Sequence, residues 1–252
     1  MTTTVVIGAA GGIGQAIAED AVRSDPKRRI VVADVDADGA QRVAASLVRD
    51  GADATAITVD LAQDSSVEAL VAATADADRV AIAAGIFRTS LATVTSTSEF
   101  EEVLRINTVG CFHVAQLYSL KMAAAGGGAL VAVASVAARM PRMRQAAYSA
   151  SKAGLRQALR VLAMEVAGSG VRINTVSPGP TDTEMMRQLA SDHATIDDLA
   201  RGSLDALRPR VPDGRVALSG DIAAAVTFLL SPASAHIQMA DLVVDGGELL
   251  GM

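Results

Sequence analysis

The chain has 252 residues, half of them hydrophobic and 2% aromatic, with a formal net charge of −6. That length suits one large α/β domain, the acidic balance argues against a general nucleic-acid binder, and a charged fraction of 20% is too ordinary for a disordered chain. The single cysteine, Cys111, excludes an internal disulfide and a cysteine-based metal cluster, and fits a reducing cytoplasm.

Strand-like and helix-like runs alternate along the chain. A short apolar strand at 3–7 opens directly onto a glycine-rich turn, with no charged leader and cleavage site before it. Helical spacing over 13–24 follows, then a strand at 29–34, a helix at 38–50, a strand at 54–59 and a helix near 65–75. A fourth strand at 80–84 precedes a long helix over 98–124. A strand at 129–134, a long helix at 147–167 and a strand at 171–176 come next. A helix at 221–230 and a strand at 241–244 close the pattern. Such alternation predicts a doubly wound parallel sheet in a single domain, with helices on both faces and right-handed connections. Residues 180–215 are polar and poorly periodic and read as an excursion near a site, a lid. No apolar stretch reaches the ~18 residues of a membrane span.

The turn Gly8-Ala-Ala-Gly11-Gly12-Ile13-Gly14 joins the first strand to the first helix. Glycines there let the backbone approach a pyrophosphate, and the helix start offers it free N–H groups. Asp34 ends the second strand 20 residues after Gly14, the spacing of a carboxylate that bonds ribose hydroxyls in a Rossmann-type site. With Asp36 beside it, a 2′-phosphate is repelled, so NAD is expected over NADP. Lys27, Arg28 and Arg29 read as solvated charges at the far end of that strand. Asp60 and Leu61 end the third strand, where an adenine could rest. Ala84 and Gly85 follow the fourth, where a small backbone admits the ribose.

The run from Ser135 to Lys152 carries the chemistry. Tyr148 and Lys152 are four apart and share one helix face. A phenol is a poor proton acceptor at neutral pH, and an ammonium one turn away favours its ionised form. A serine hydroxyl from a neighbouring strand can bond the same substrate oxygen. Together they make an acid/base for alcohol–carbonyl interconversion. The other tyrosine, Tyr118, has Lys121 at the wrong spacing and no serine upstream.

With Gly8, Gly12 and Gly14, Asn107, Ser135, Tyr148, Lys152, Pro178, Gly179 and Thr183, the chain resembles the short-chain dehydrogenase/reductase family over nearly its whole length. The serine-to-tyrosine gap of 13 is the family's usual one. The resemblance implies that Asn107 holds a water linking Lys152 to solvent. It also implies that Pro178, Gly179, Thr181 and Thr183 lie at the nicotinamide end, and that subunits form a homotetramer. The apolar segment 242–244 and the helix before it are candidates for that contact. Two positions depart from the family: Ile7 replaces a threonine, and Ile82-Ala83-Ala84-Gly85 replaces Asn-Asn-Ala-Gly. Both partners turn apolar together, so altered strand packing is expected and not loss of the cofactor.

The stretches around Ala84–Arg88, Ala138–Met143, Ser177–Met185 and the end Asp241–Gly247 are similar to the branch of that family that oxidises a cyclohexadiene diol carboxylate to a catechol. A substrate carboxylate wants an arginine fork. Arg88 and Arg142 are the candidates, each as open to a role as a solvated loop charge. Met185 either caps the substrate ring or packs a helix. Arg139, Arg144, Arg201, Arg208 and Arg210 read as solvated. His113, His193 and His236 share no metal-ligand spacing, and Cys111 reads as a small packed residue. Three alternatives stay open: a dihydro-3-hydroxyanthranilate as substrate, a 3-oxoacyl thioester reductase, and a dinucleotide-sensing regulator without turnover. Asp34 and the arginine pair weigh against the second, and the complete Asn–Ser–Tyr–Lys set against the third.

Overall fold

The computed structural model describes residues 2–190, 195–196 and 198–251. Seven strands form one parallel sheet: β1 (Thr3–Ile7), β2 (Arg29–Asp34), β3 (Asp53–Thr58), β4 (Ala77–Ile82), β5 (Gly128–Val133), β6 (Val171–Pro178) and β9 (Asp241–Val244), while β7 (Thr181–Asp182) and β8 (Ala217–Leu218) pair with each other apart from it. Their order is β3-β2-β1-β4-β5-β6-β9. The order reverses direction between β1 and β4, which places a crevice at their C-terminal ends, where open α/β sheets bind ligands.

Helices cover both faces, which is why the central strands are continuous apolar runs. On one face α3 (Asp64–Ala73), α5 (Cys111–Ala124) and α6 (Ala146–Val166) bury Leu70, Tyr118 and Leu159 against Val5, Val80 and Leu130. On the other, α1 (Gly12–Ser24), α2 (Ala37–Arg49) and α9 (Ser219–Leu230) bury Ile17, Leu47 and Ile222 against Val6, Val32 and Val131. Among the described residues, no helix is long and apolar enough to cross a membrane.

The predicted helix at 98–124 is not continuous. It begins as α4 (Thr97–Leu104) and widens into a π-helical turn at Arg105–Gly110 before α5. The fourth strand begins at Ala77, three residues earlier than expected. Ile7 and Ile82 pair in register and are almost wholly buried. The Ala83 N–H donates to the Ile7 carbonyl at 2.8 Å, so the two apolar departures from the family meet each other.

Arg28 is not a solvated charge. Its side chain is 4% exposed, ion-paired with Asp78, and donates to Thr4 Oγ1 at 3.0 Å. It pins β1 to the start of β4 at the sheet edge away from the crevice.

Candidate active site

A cavity of about 590 Å³ lies along the C-terminal edge of the sheet, at the reversal between β1 and β4. At one end, Gly8, Gly12, Ile13, Gly14, Asp34, Asp60 and Leu61 line it. Gly8 takes φ of +81°, and a side chain there would overlap the backbone of Ala84. Only glycine allows β1 and β4 to pass this closely into the turn. Gly11 caps α1 with no side-chain bond, and the first turn carries no acidic residue. The N–H groups at that helix start are left for an anion. Asp34 is fixed across the turn: Oδ2 accepts from the Ala10 N–H at 2.8 Å and Oδ1 from that of Asp36 at 3.1 Å. These residues fit a dinucleotide, with the pyrophosphate on the helix start and a ribose against Asp34.

Ala84, Gly85, Pro178, Gly179, Thr181 and Thr183 also line the cavity, Thr183 close to Gly12. The Thr183 hydroxyl accepts from the Met186 N–H at 3.3 Å and starts α7 (Glu184–Ala190). A Cβ on Gly85 would sit 3.1 Å from Asn107 Oδ1 and 3.3 Å from Lys152 Nζ, so a side chain there would press on both.

Ser135 lies two residues past the end of β5, where it caps a short turn at Val136–Ala138, and Tyr148 and Lys152 lie in the first turns of α6; all three line the cavity. Lys152 is 4% exposed, and its ammonium donates to the Val133 carbonyl at 2.9 Å and lies 5.9 Å from the centroid of the Tyr148 ring. Phe87 meets the Tyr148 ring edge-on at 4.6 Å and fixes its plane. Ser135 Oγ accepts from the Ala137 N–H at 3.1 Å. Asn107 sits in the π-helical turn, wholly buried. It accepts from the Ile86 N–H at 2.7 Å, and its amide donates to the Ile86 carbonyl at 2.8 Å and to Ser151 Oγ at 3.1 Å. The widened turn is what brings this side chain across to the strand-end loop and into the surroundings of Lys152.

Substrate-side expectations fare unevenly. Arg88 turns away: it does not line the cavity, is half exposed and pairs with Glu102 at 3.4 Å. Its neighbours Phe87 and Thr89 line the cavity instead. Arg142 does line the wall, 8% exposed, but pairs at 2.8 Å with Glu248, whose side chain is fully buried. Burial lowers the Arg142 guanidinium from its ordinary value against the pull of Glu248, and burial raises the Glu248 carboxyl despite Arg142 and Arg208. Met185 and Met186 both line the cavity from the start of the excursion.

Two arginines expected in solvent are engaged. Arg208 lies against Glu248 at 3.4 Å and lines the cavity. Arg139 pairs with the buried Asp241 at 2.8 Å. Tyr118 is a core residue, its hydroxyl against Thr74 Oγ1 at 2.5 Å, and burial pushes it up to about 12. Cys111 is buried, and burial pushes its thiol up to about 11, which makes it a poor nucleophile. Among the described residues, no group of His, Cys, Asp and Glu could hold a metal ion; His193 lies outside them.

A family model described as enoyl-(acyl carrier protein) reductase matches residues 8–248. The chain belongs to the short-chain dehydrogenase/reductase family. As a short-chain dehydrogenase/reductase it is an oxidoreductase that binds a nicotinamide dinucleotide. D-threitol dehydrogenase of Mycolicibacterium smegmatis (strain ATCC 700084 / mc(2)155) is 40% identical over 247 residues, 96% of this chain and 91% of that protein. The 2,3-dihydro-2,3-dihydroxybenzoate dehydrogenase of Bacillus subtilis (strain 168) is 33% identical over 251 residues, 98% of this chain and 95% of that one. A solved structure of a putative NAD(P)-dependent gluconate 5-dehydrogenase from Beutenbergia cavernae, with bound NADP at low occupancy, superposes with a TM-score of 0.89. It is 32% identical, covering 99% of this chain and 97% of that one. Within the short-chain dehydrogenase/reductase frame, sequence reasoning missed Phe87, Arg208 and Glu248. Glu248 directly follows the Asp245-Gly-Gly turn, but nothing local to the chain announces its partners.

Proposed function

We propose that this protein oxidises a ring alcohol bearing a carboxylate, with NAD as hydride acceptor, to an aromatic product. The reaction that suits the site best is 2,3-dihydro-2,3-dihydroxybenzoate to 2,3-dihydroxybenzoate. The observation that carries this reading is that Asp34, Ser135, Tyr148, Lys152 and Arg142 all line one cavity.

Tyr148 takes the proton from the substrate hydroxyl, and Ser135 orients that oxygen. Lys152, anchored on the Val133 carbonyl, supplies positive charge to the phenol oxygen and reaches for the ribose. Asn107 keeps the loop at Ile86 in place and carries the proton relay toward solvent. When bound, the nicotinamide accepts the hydride from the same carbon. Phe87 and Met185 pack on the ring and Arg142 meets its carboxylate; of the excursion expected as a lid, Leu199 and Arg208 also line the cavity, while 191–194 and 197 lie outside the described residues. The ketone formed from a dihydrodiol carboxylate tautomerises to an aromatic ring, which makes the reaction one-way; an amino neighbour in place of the second hydroxyl suits the same chemistry.

A neutral polyol is the second reading. Two observations favour it: Arg142 is already paired with Glu248, and a relative named for D-threitol is 40% identical. Assays with NAD and the diene carboxylate against D-threitol, following reduced cofactor by absorbance, separate the two. Turnover of the polyol alone would overturn the carboxylate reading.

Preference for NAD rests on Asp34. Asp34→Ala is expected to lower the NAD:NADP ratio of kcat/KM by about tenfold or more, as loss of a charged hydrogen-bond acceptor does. An unshifted ratio in steady-state kinetics would count against that role. Subunits assemble as a homotetramer in this reading, with the exposed Phe228 of α9 and Leu242 of β9 among the apolar surfaces available to meet a partner.

A further inference from the structure

We propose that Arg208 is a second anchor for the substrate carboxylate, held beside Arg142 by Glu248 acting as a positioning residue. This rests on the reading that the substrate carries a carboxylate.

Arg208 is placed by a tight turn. Ser203 and Arg208 exchange backbone hydrogen bonds at 2.9 and 2.8 Å, and Leu207 takes φ of +49°, a strained value for a non-glycine residue. The segment then returns to α8 (Asp198–Arg201), where the Val211 N–H donates to the Ala200 carbonyl at 2.8 Å, and docks on the C-terminal turn, where the Asp213 N–H donates to the Gly246 carbonyl at 3.1 Å. Val211, Val216 and Ala200 form a small buried cluster beneath it. The excursion therefore delivers Arg208 to a fixed place next to Glu248, on the wall of the catalytic cavity.

Both guanidiniums converge on one oxygen, Glu248 Oε1, at 2.8 Å from Arg142 and 3.4 Å from Arg208. Oε2 has no hydrogen-bond partner among the described residues. One carboxylate oxygen thus holds two cations side by side. The nearby Asp245 carboxylate adds its negative charge to their surroundings, but its hydrogen bonds go to the Gly247 and Leu249 N–H groups at 2.9 and 2.8 Å. Of the Arg208 nitrogens only Nε is engaged; among the described residues its two terminal nitrogens make no other hydrogen bond or ion pair. Arg208 is 21% exposed and lines the cavity, so its terminal N–H groups are open to a ligand there. A carboxylate presented to that free edge would take two parallel N–H bonds. Without Glu248 the two cations would repel each other and splay.

The test compares the ring diol carboxylate with its carboxamide in wild type, Arg208→Lys and Arg208→Ala, with thermal melting as the check on folding. The carboxylate:carboxamide ratio of kcat/KM is expected to fall roughly 10- to 100-fold in both variants. Lysine does not rescue it because an ammonium lacks the fork. Equal losses on both substrates, no change of ratio, or full rescue by lysine would overturn the role of Arg208. Wild type oxidising the carboxylate would still leave the substrate reading standing. Wild type that does not prefer the carboxylate would overturn that reading and this inference with it.

Discussion

Tyr148→Phe is expected to lower kcat by about 10²–10⁴-fold, the range over which a positioned acid/base acts, while dinucleotide affinity changes by less than about twofold. The phenylalanine ring keeps the edge-on contact with Phe87 and the neighbourhood of Lys152, so packing survives. Only the phenol oxygen proposed as the proton acceptor is removed. The Lys152 anchor on Val133 and the Asn107 bonds to Ile86 do not involve that hydroxyl and remain. Steady-state kinetics beside a fluorescence titration with reduced cofactor reads both quantities. Retained turnover, or lost binding with normal chemistry, would remove Tyr148 from its role.

Asp241→Ala is expected to destabilise the fold by about 2–4 kcal/mol, somewhat under the cost of breaking a wholly buried ion pair because both arginines reach solvent in part. The side chain of Asp241 is fully buried, those of Arg139 and Arg156 24% and 20% exposed. Oδ2 accepts from Arg139 Nε at 2.9 Å and Arg156 at 3.2 Å; Oδ1 accepts from Ser177 Oγ at 2.6 Å and Thr175 Oγ1 at 2.9 Å. Arg139 lies four residues past Ser135 and Arg156 four past Lys152, so one carboxylate ties the serine turn and the catalytic helix to the end of β6. Melting temperature should fall by roughly 5–15 °C for a chain of this size.

The pH dependence follows from the same contacts. Burial pushes the Asp241 carboxyl up, but the bonds from Ser177, Arg139 and Thr175 outweigh it and hold the group below its ordinary value. A carboxyl lowered on folding stabilises the fold fully above its unfolded value near 4, and that contribution is lost as pH falls through the folded value. The gap in melting temperature between wild type and Asp241→Ala should therefore stay flat from neutral pH to about pH 5 and close below about pH 4. A gap that widens on acidification would contradict the sign.

Much of the fold was legible because its signals are local. The strand at 3–7, the glycine turn and the strand at 29–34 fall where periodicity and glycine placement put them. The Tyr148–Lys152 spacing likewise needs only one helix. What could not be read is long-range. Arg139 meets Asp241 across 102 positions, Arg28 meets Asp78 across 50, and Arg142 and Arg208 meet a glutamate at the far end of the chain. A charged residue in a loop looks solvated until the partner that buries it is known. The π-helical turn at Arg105–Gly110 hid for another reason: its apolar spacing differs from an α-helix by one residue, and what it achieves, the reach of Asn107 to Ile86, is a tertiary contact. Arg88 could not be told from its neighbours by sequence: Phe87 and Thr89 line the cavity, while Arg88 pairs with Glu102, 14 positions on.

We propose that Ser135, Tyr148 and Lys152 act together to oxidise an alcohol with a nicotinamide dinucleotide seated against Asp34. The most direct measurement mixes the protein and NAD with the ring diol carboxylate, deuterated at the carbinol carbon, and analyses the reduced cofactor by mass. Deuterium should appear in the reduced cofactor in step with aromatic product, and Tyr148→Phe should abolish both. Aromatic product without label in the cofactor, or no reduced cofactor with the ring diol carboxylate or any other secondary alcohol, would contradict the account.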